Sequence, residues 1–252
     1  MRRAARYWLM AAMVLYSQFL PADDWIDDTT GYFLSPTEWN SNQWLLFTGV
    51  AGLAAIAQHN DEAVRYRFDT RQSDRGDRAA HLGNSWGEVI GLSGASILGV
   101  YSVGWITGNK DLVQTGNNAV ESLILACTTT SLLKRVFDRK RPNQTESADD
   151  FFQGGRSFPS GHVTAAFVLS TTFAEAGGNP SWYRRLFFYS LAATTAYARM
   201  YDQKHWLSDT IIGAAIGTST AIYVNNRNPL STDGRPGLSV TPTGIQYSLS
   251  WR

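Results

Sequence analysis

Apolar residues in this chain fall into helix-sized runs, and strict alternation is confined to the last few residues. The first clear run is "WLLFTGVAGLAAIAQ" at 44–58, a short apolar helix. From Val89 to Thr107 nineteen residues pass without a charge. A helix follows at about 117–138, and three more cover about 161–176, 182–201 and 205–225. Their interiors are rich in Ala, Gly, Thr and Ser, which lets helices approach closely. The tail "GLSVTPTGIQYSLSWR" has period two: Ile245, Tyr247, Leu249 and Trp251 alternate with Gln246, Ser248 and Ser250. With Leu238 and Val240 ahead of Thr243-Gly244 it predicts a small β-hairpin. The expected fold is all-α, a bundle of about six main helices with a short C-terminal β-hairpin or tail.

Polar stretches separate these runs. Residues 23–43 read as a loop with Pro36 and several aromatics. Residues 59–88 mix Arg65, Arg67, Arg71, Arg75 and Arg78 with aspartates, the pattern of a solvated helix or loop. His59 and His81 lie there without metal-ligand spacing to another His or Cys, and read as surface residues. The N-terminus "MRRAARYWLMAAMVLYSQFLPADDWIDD" places three arginines before an apolar stretch and acidic residues after it. That layout predicts an export signal ending near Leu20-Pro21-Ala22, with an uncleaved anchor as the alternative. The expected organisation is 1–22 signal peptide or anchor, 23–228 helical domain, and 229–252 tail.

Composition narrows this picture. The formal net charge is +1 and no long basic run exists, so nucleic acid is not an expected partner. Cys127 is the single cysteine, which excludes an internal disulfide and reads as a buried structural thiol. A membrane-spanning helix needs about 20 mainly apolar residues, with about 17 the lower limit. Only 89–107 clearly reaches that length, and the mean hydropathy is −0.21. A soluble bundle in the periplasm is therefore expected, with an integral membrane protein as the alternative.

Three clusters carry candidate chemistry. In "KRVFDRKRP", Lys134 and Arg141 are seven residues apart, two helical turns, and Pro142 ends helical pairing. Alone this reads as a basic helix end; two fixed cations also suit a tetrahedral anion. In "RSFPSGHVTA", Ser160 and Gly161 open a helix whose free amides can take an anion, and His162 stands in its first turn. In "ARMYDQKHWLSD", Arg199 precedes His205 by six residues and Asp209 follows it by four. On a helix the last two share a face, so the carboxylate can hold one imidazole nitrogen and leave the other as nucleophile. Arg156, Lys140 and Lys204 lie near these motifs and read equally as solvated helix ends or substrate contacts.

Lys, six residues, Arg-Pro; then Pro-Ser-Gly-His; then Arg, five residues, His, three residues, Asp: this order resembles the type 2 phosphatidic acid phosphatase superfamily. That superfamily also contains the bacterial class A acid phosphatases and the vanadium haloperoxidases. The resemblance covers about 134–209 by motif, and all ten named positions match. One departure is Ala198, where the family usually has Ser. It puts fine substrate affinity in doubt and removes no charged group.

The resemblance implies that His205 attacks phosphorus to give a phosphohistidine, with Asp209 orienting it. It implies that His162 protonates the leaving alkoxide and then activates water. Lys134, Arg141, Arg199, Ser160 and the Gly161 amide would hold the equatorial oxygens, with no metal or other cofactor. The expected activity is hydrolysis of phosphate monoesters or diphosphates, lipid-linked ones first, since "HWLSDTIIGAAIG" looks like the lipid-phosphatase branch. The expected partner is a phosphorylated lipid or small phosphate ester, with contact to a membrane surface. Alternatives are a soluble non-specific acid phosphatase, a vanadate-dependent haloperoxidase, and a non-catalytic envelope protein.

Overall fold

Helices account for almost all of the regular structure. The computed structural model describes residues 22–89, 91–176, 181–230, 237–241 and 244–248. Among the described residues eight α-helices run in order: α1 Ala22–Leu34, α2 Ser41–Asp69, α3 Asp74–Gly87, α4 Leu92–Thr107, α5 Lys110–Phe137, α6 Gly161–Glu175, α7 Trp182–Tyr201 and α8 Leu207–Arg227. The all-α expectation holds. Strand β1 (Gly237–Thr241) pairs antiparallel with β2 (Gly244–Ser248), Val240 opposite Ile245. The expected export segment lies outside the described residues.

α1 comes from a segment whose polarity suggested a loop, and α3 from one read as a solvated helix or loop. α1 occupies part of 23–43, and α3 starts on a Ser73 cap whose hydroxyl accepts from the Gly76 amide. α2 is also about twice as long as its apolar run, because the charged stretch after Gln58 continues the helix to Asp69. The capping box at its start is complete: the Asn40 side chain accepts from the Gln43 amide, and the Gln43 side chain accepts from the Asn40 amide. The uncharged run 89–107 is shorter as a helix than as a sequence, since the chain bends between α3 and α4 and α4 begins at Leu92.

α6 is the central element, packed against α5, α7 and α8. Every residue from Val163 to Ala174 is buried except Phe167, as expected of a helix with no polar face. Val168, Leu169 and Ala166 have no exposed surface, and with Trp86, Ile97, Leu123 and Phe173 they form the main core. Each such large aliphatic side chain contributes about 1.5–3 kcal/mol. The small-residue pattern of α8 explains how closely it lies on α6. A Cβ at Gly213 would sit 2.7 Å from the Ser160 carbonyl oxygen, and one at Gly217 only 2.3 Å from that of Thr164. This contact brings the N-termini of α6 and α8 to one end of the bundle.

The surface is more apolar than a soluble bundle leads one to expect. Leu45 and Leu46 on α2, and Trp105 and Ile106 on α4, are 70–85 % exposed. Trp182, Tyr183, Leu186 and Phe187 form a similar exposed stripe on α7. Among the described residues α8 alone is long and apolar enough to cross a membrane unaided, or two segments if α3 and α4 count as one bent unit. Its polar N-terminus and Gly213 and Gly217 are buried against the other helices, so α8 is a core helix here. Cys127 is half-buried rather than enclosed, and its thiol is pushed up to about 11 by burial.

Candidate active site

The three sequence clusters meet where α5 ends and α6 and α8 begin. α5 stops at Phe137, and Asp138 takes the left-handed conformation (φ 41°). Lys134 is therefore in the last helical turn, while Arg141 lies beyond the helix end, contrary to the shared helical face expected from their spacing. The loop that follows folds back on α5: Phe152 donates its amide to the Phe137 carbonyl, and Ser157 to that of Arg139. Phe137, Phe151 and Phe158 pack edge to face over it, with centroids 4.9–6.2 Å apart.

Lys134 secures the end of that loop. Its ammonium donates to the carbonyls of Arg156 (3.0 Å), Ser157 (3.2 Å) and Pro159. Those three bonds occupy all of its protons. Burial pulls its pKa down to about 8, opposed by Asp209 and reinforced by Arg141, Arg199 and Arg156.

Ser160 occupies the N-cap position of α6 and is fully buried, yet its hydroxyl caps nothing. The expected capping bond is absent because Ser160 is held through its backbone: its amide donates to the Asp209 carbonyl, and its carbonyl accepts from the Thr164 amide and hydroxyl. Its Oγ has no partner among the described residues, as an anion ligand requires. Gly161 opens the helix above Thr130 and the Lys134 side chain. His162 follows in the first turn. Burial first, then Arg199, Lys134 and Arg141, lower its pKa to about 4, so the imidazole is neutral at pH 7.

Arg199 lies in the last turn of α7, anchored by one terminal nitrogen on Asn84 Oδ1 at 2.8 Å. Asn84 in turn donates to Asp202 at 2.7 Å. The buried Nε of Arg199 has no partner among the described residues. The chain then turns so that both Lys204 and His205 donate their amides to the Arg199 carbonyl.

His205 precedes α8 rather than riding on it, because the helix starts at Leu207. The one-turn pairing with Asp209 survives, since Asp209 reaches back over the N-terminus. Its Oδ2 accepts from the Trp206 amide (3.0 Å) and the Ser157 hydroxyl (2.5 Å), and lies 3.4 Å from His205 Nδ1. That last separation is an ion-pair distance, longer than an ordinary hydrogen bond. Burial drives the pKa of His205 down to about 3 against the pull of Asp209, with Lys134 and Arg199 adding to the drop. Burial works to raise Asp209, but His205, Arg139 and Ser157 together hold it below the usual carboxylate range.

All eight residues expected at the site thus gather at one end of the bundle: a neutral imidazole next to a carboxylate, a second neutral imidazole, three cations, and an unpartnered hydroxyl at a helix N-terminus. Arg156 is exposed, and Lys140 lies 3.8 Å from Asp150. Sequence reasoning passed over Asp61, Asn84, Arg139 and Ser157. Asp61 had a readable signal: Ala54, Ala57 and Asp61 are spaced three and four apart, so the aspartate continues the buried stripe of α2.

Residues 116–231 match the PAP2 superfamily, as the three motifs imply. A curated lipid A 1-phosphatase from Porphyromonas gingivalis is 36% identical over 118 residues, 46% of this chain and only 23% of the relative's length. The fold resembles the crystal structure of LpxE from Aquifex aeolicus, with TM-score 0.50 and 21% identity, covering 65% of this chain and 92% of that one. It resembles equally the transmembrane PAP2 type phosphatidylglycerolphosphate phosphatase from Bacillus subtilis, with TM-score 0.51 and 20% identity over 72% and 93% of the two chains.

Proposed function

We propose, from this PAP2-superfamily region, that the protein is a membrane-associated phosphatase that removes phosphate from a lipid, with His205 as nucleophile. The single observation that carries the reading is the pairing of buried His205 with an ionised Asp209 beside the unpartnered Ser160 hydroxyl. The relatives named above as phosphatases act on lipid A or phosphatidylglycerolphosphate, which supports a lipid phosphate. The apolar side chains on α2, α4 and α7 support contact with lipid, since such patches are rare on freely soluble surfaces.

In this reading neutral His205 attacks through Nε2, forming a nitrogen–phosphorus bond as the bond to the lipid oxygen breaks. Asp209 accepts from Nδ1–H, and that contact shortens as the imidazole becomes cationic. His162 gives a proton to the departing oxygen. It then takes one from the water that cleaves the phosphohistidine. Arg141, Arg199, Ser160 and the Gly161 amide donate to the equatorial oxygens, and Lys134, whose protons are on loop carbonyls, adds its charge; such stabilisation is the dominant requirement in phosphoryl transfer.

The test uses phosphatidic acid in detergent micelles and p-nitrophenyl phosphate. His205→Ala should abolish phosphate release from both, and wild-type enzyme quenched in alkaline detergent should carry an acid-labile, base-stable phosphoryl group that the variant lacks. Release by the variant at more than about one hundredth of the wild-type rate would overturn the mechanism.

A further inference from the structure

Arg139 has no exposed surface, and Asp61 and Asp209 on either side of it have none at their side chains. A buried guanidinium is costly unless every donor is satisfied. Here each of the five is. Nε and one Nη2 hydrogen go to the Ala148 carbonyl (2.9 and 2.6 Å), and the other Nη2 hydrogen goes to Asp61 Oδ2 (2.8 Å). The two Nη1 hydrogens go to Asp209 Oδ1 (2.7 Å) and Ser208 Oγ (2.8 Å). Phe151 and Trp206 cover the guanidinium, with centroids 4.6 and 5.3 Å from its central carbon.

Asp61 comes from α2, outside the segment that matches the superfamily. It holds the start of α8 as well, accepting from the Ser208 amide (3.0 Å) and the Ser208 hydroxyl (2.6 Å). Asp209 is thereby gripped on both oxygens. Arg139 takes Oδ1, while Ser157 and the Trp206 amide fix Oδ2 beside His205.

We propose that Asp61 and Arg139 are positioning residues for catalysis: Asp61 fixes Arg139, and Arg139 through Asp209 sets the orientation of His205 and keeps that carboxylate ionised. The inference rests on the phosphohistidine reading above. A plain staple between α2 and α8 would need only hydrogen bonds. A full positive charge placed against the one carboxylate that touches the nucleophile does more, because it fixes where that carboxylate's proton equilibrium lies.

The charged and titratable groups that bear on this pair are few. Lys134 of α5 acts on both Asp209 and His205, and Arg199 of α7 acts on His205. His162 of α6 and Arg141 stand across the site, sharing Lys134 and Arg199 as neighbours. Asp61 faces Arg139 and Ser208; burial raises its pKa against the lowering effect of both.

The experiment follows kcat and KM for p-nitrophenyl phosphate from pH 3 to 8, with thermal unfolding in parallel. Arg139→Met leaves two buried carboxylates without their cation, so Asp209 gains a proton at higher pH. Its acid limb should move up by at least one pH unit, and kcat at pH 7 should fall ~100-fold with KM within about twofold. Arg139→Lys restores the charge without the fork, so the acid limb should return towards wild type while kcat stays reduced. Asp61→Asn leaves the full charge of Arg139 on Asp209, so its acid limb should stay put or move down as kcat falls ~10-fold. Where Arg139→Met does not fold, Ser208→Ala serves instead: it removes the hydroxyl that bridges Asp61 and Arg139 and should lower kcat ~3-fold at constant KM. Lowered melting temperature with wild-type kcat and pH profile in Asp61→Asn and Ser208→Ala would reduce the pair to a staple and overturn the proposal. Activity surviving in His205→Ala sinks the phosphohistidine reading instead, so the two failures are distinguishable.

Discussion

Filling the anion site should pull a proton onto His162. Free His162 has its pKa lowered from 6.5 to about 4, chiefly by burial and then by Arg199, Lys134 and Arg141. That difference corresponds to about 3 kcal/mol against the imidazolium. A divalent anion at about 4 Å, with an effective dielectric constant of about 20, would favour the imidazolium by about 8 kcal/mol. Half of that is enough to lift the pKa past 6.5. The sign follows from linkage: a group that binds its proton more tightly in the complex takes one up on binding, in the window between its free and bound pKa values.

Sulfate makes a clean probe, because it is divalent and has no proton to exchange near pH 6. Titration calorimetry in two buffers of different ionisation enthalpy should give an uptake of about one proton per sulfate at pH 6. Uptake should vanish in His162→Gln and persist in His205→Gln. Heats independent of buffer in the wild-type protein would refute the reasoning, as would uptake that disappears with His205 instead. A positive result would explain how a histidine that is neutral in the empty site acts as an acid: the substrate's own charge protonates it.

Asn84→Ala removes the 2.8 Å bond that anchors Arg199. A hydrogen bond to a charged group contributes about 1.5–3 kcal/mol, so KM for p-nitrophenyl phosphate should rise by about tenfold or more; an unchanged KM would mean that Arg199 is held without Asn84. Gly217→Ala puts a methyl 2.3 Å from the Thr164 carbonyl oxygen, where only backbone movement can relieve it. The expected loss is about 1–3 kcal/mol, read as a melting temperature lower by roughly 2–4 °C per kcal/mol, and no loss would refute the close α6–α8 contact.

Much of the bundle was legible because its helices bury apolar faces. α6, α7 and α8 lie within two residues of their expected bounds, since uninterrupted apolar runs leave little choice of register or length. α1 was not legible as a helix, and α3 was legible only as a solvated helix or loop. Both sequences are polar; α3 is capped by Ser73 and buries a narrow face of small residues, Gly76, Ala80 and Gly83, with Trp86. The same limit applies to α2, whose charged half looked like solvated surface although Asp61 is buried among the catalytic groups.

The candidate site was legible for a different reason. Its residues are short-range motifs, and each motif sits at a helix end where backbone geometry places it: Lys134 at the close of α5, Ser160 to His162 at the start of α6, Arg199 at the close of α7, and Asp209 at the start of α8. Helix ends were predictable only to within a few residues, and this is why His205 and Arg141 were assigned to helices that stop short of them. What spacing could not reveal is which charges meet. Arg139 stands two residues from Arg141 in sequence, yet it faces inward to Asp61 and Asp209, while Arg141 acts on Lys134, His162 and Arg199. The left-handed turn at Asp138, one residue past the helix, takes both arginines off the helix that carries Lys134. Beyond it, one arginine meets the buried carboxylates beside His205 and the other acts on His162 across the site.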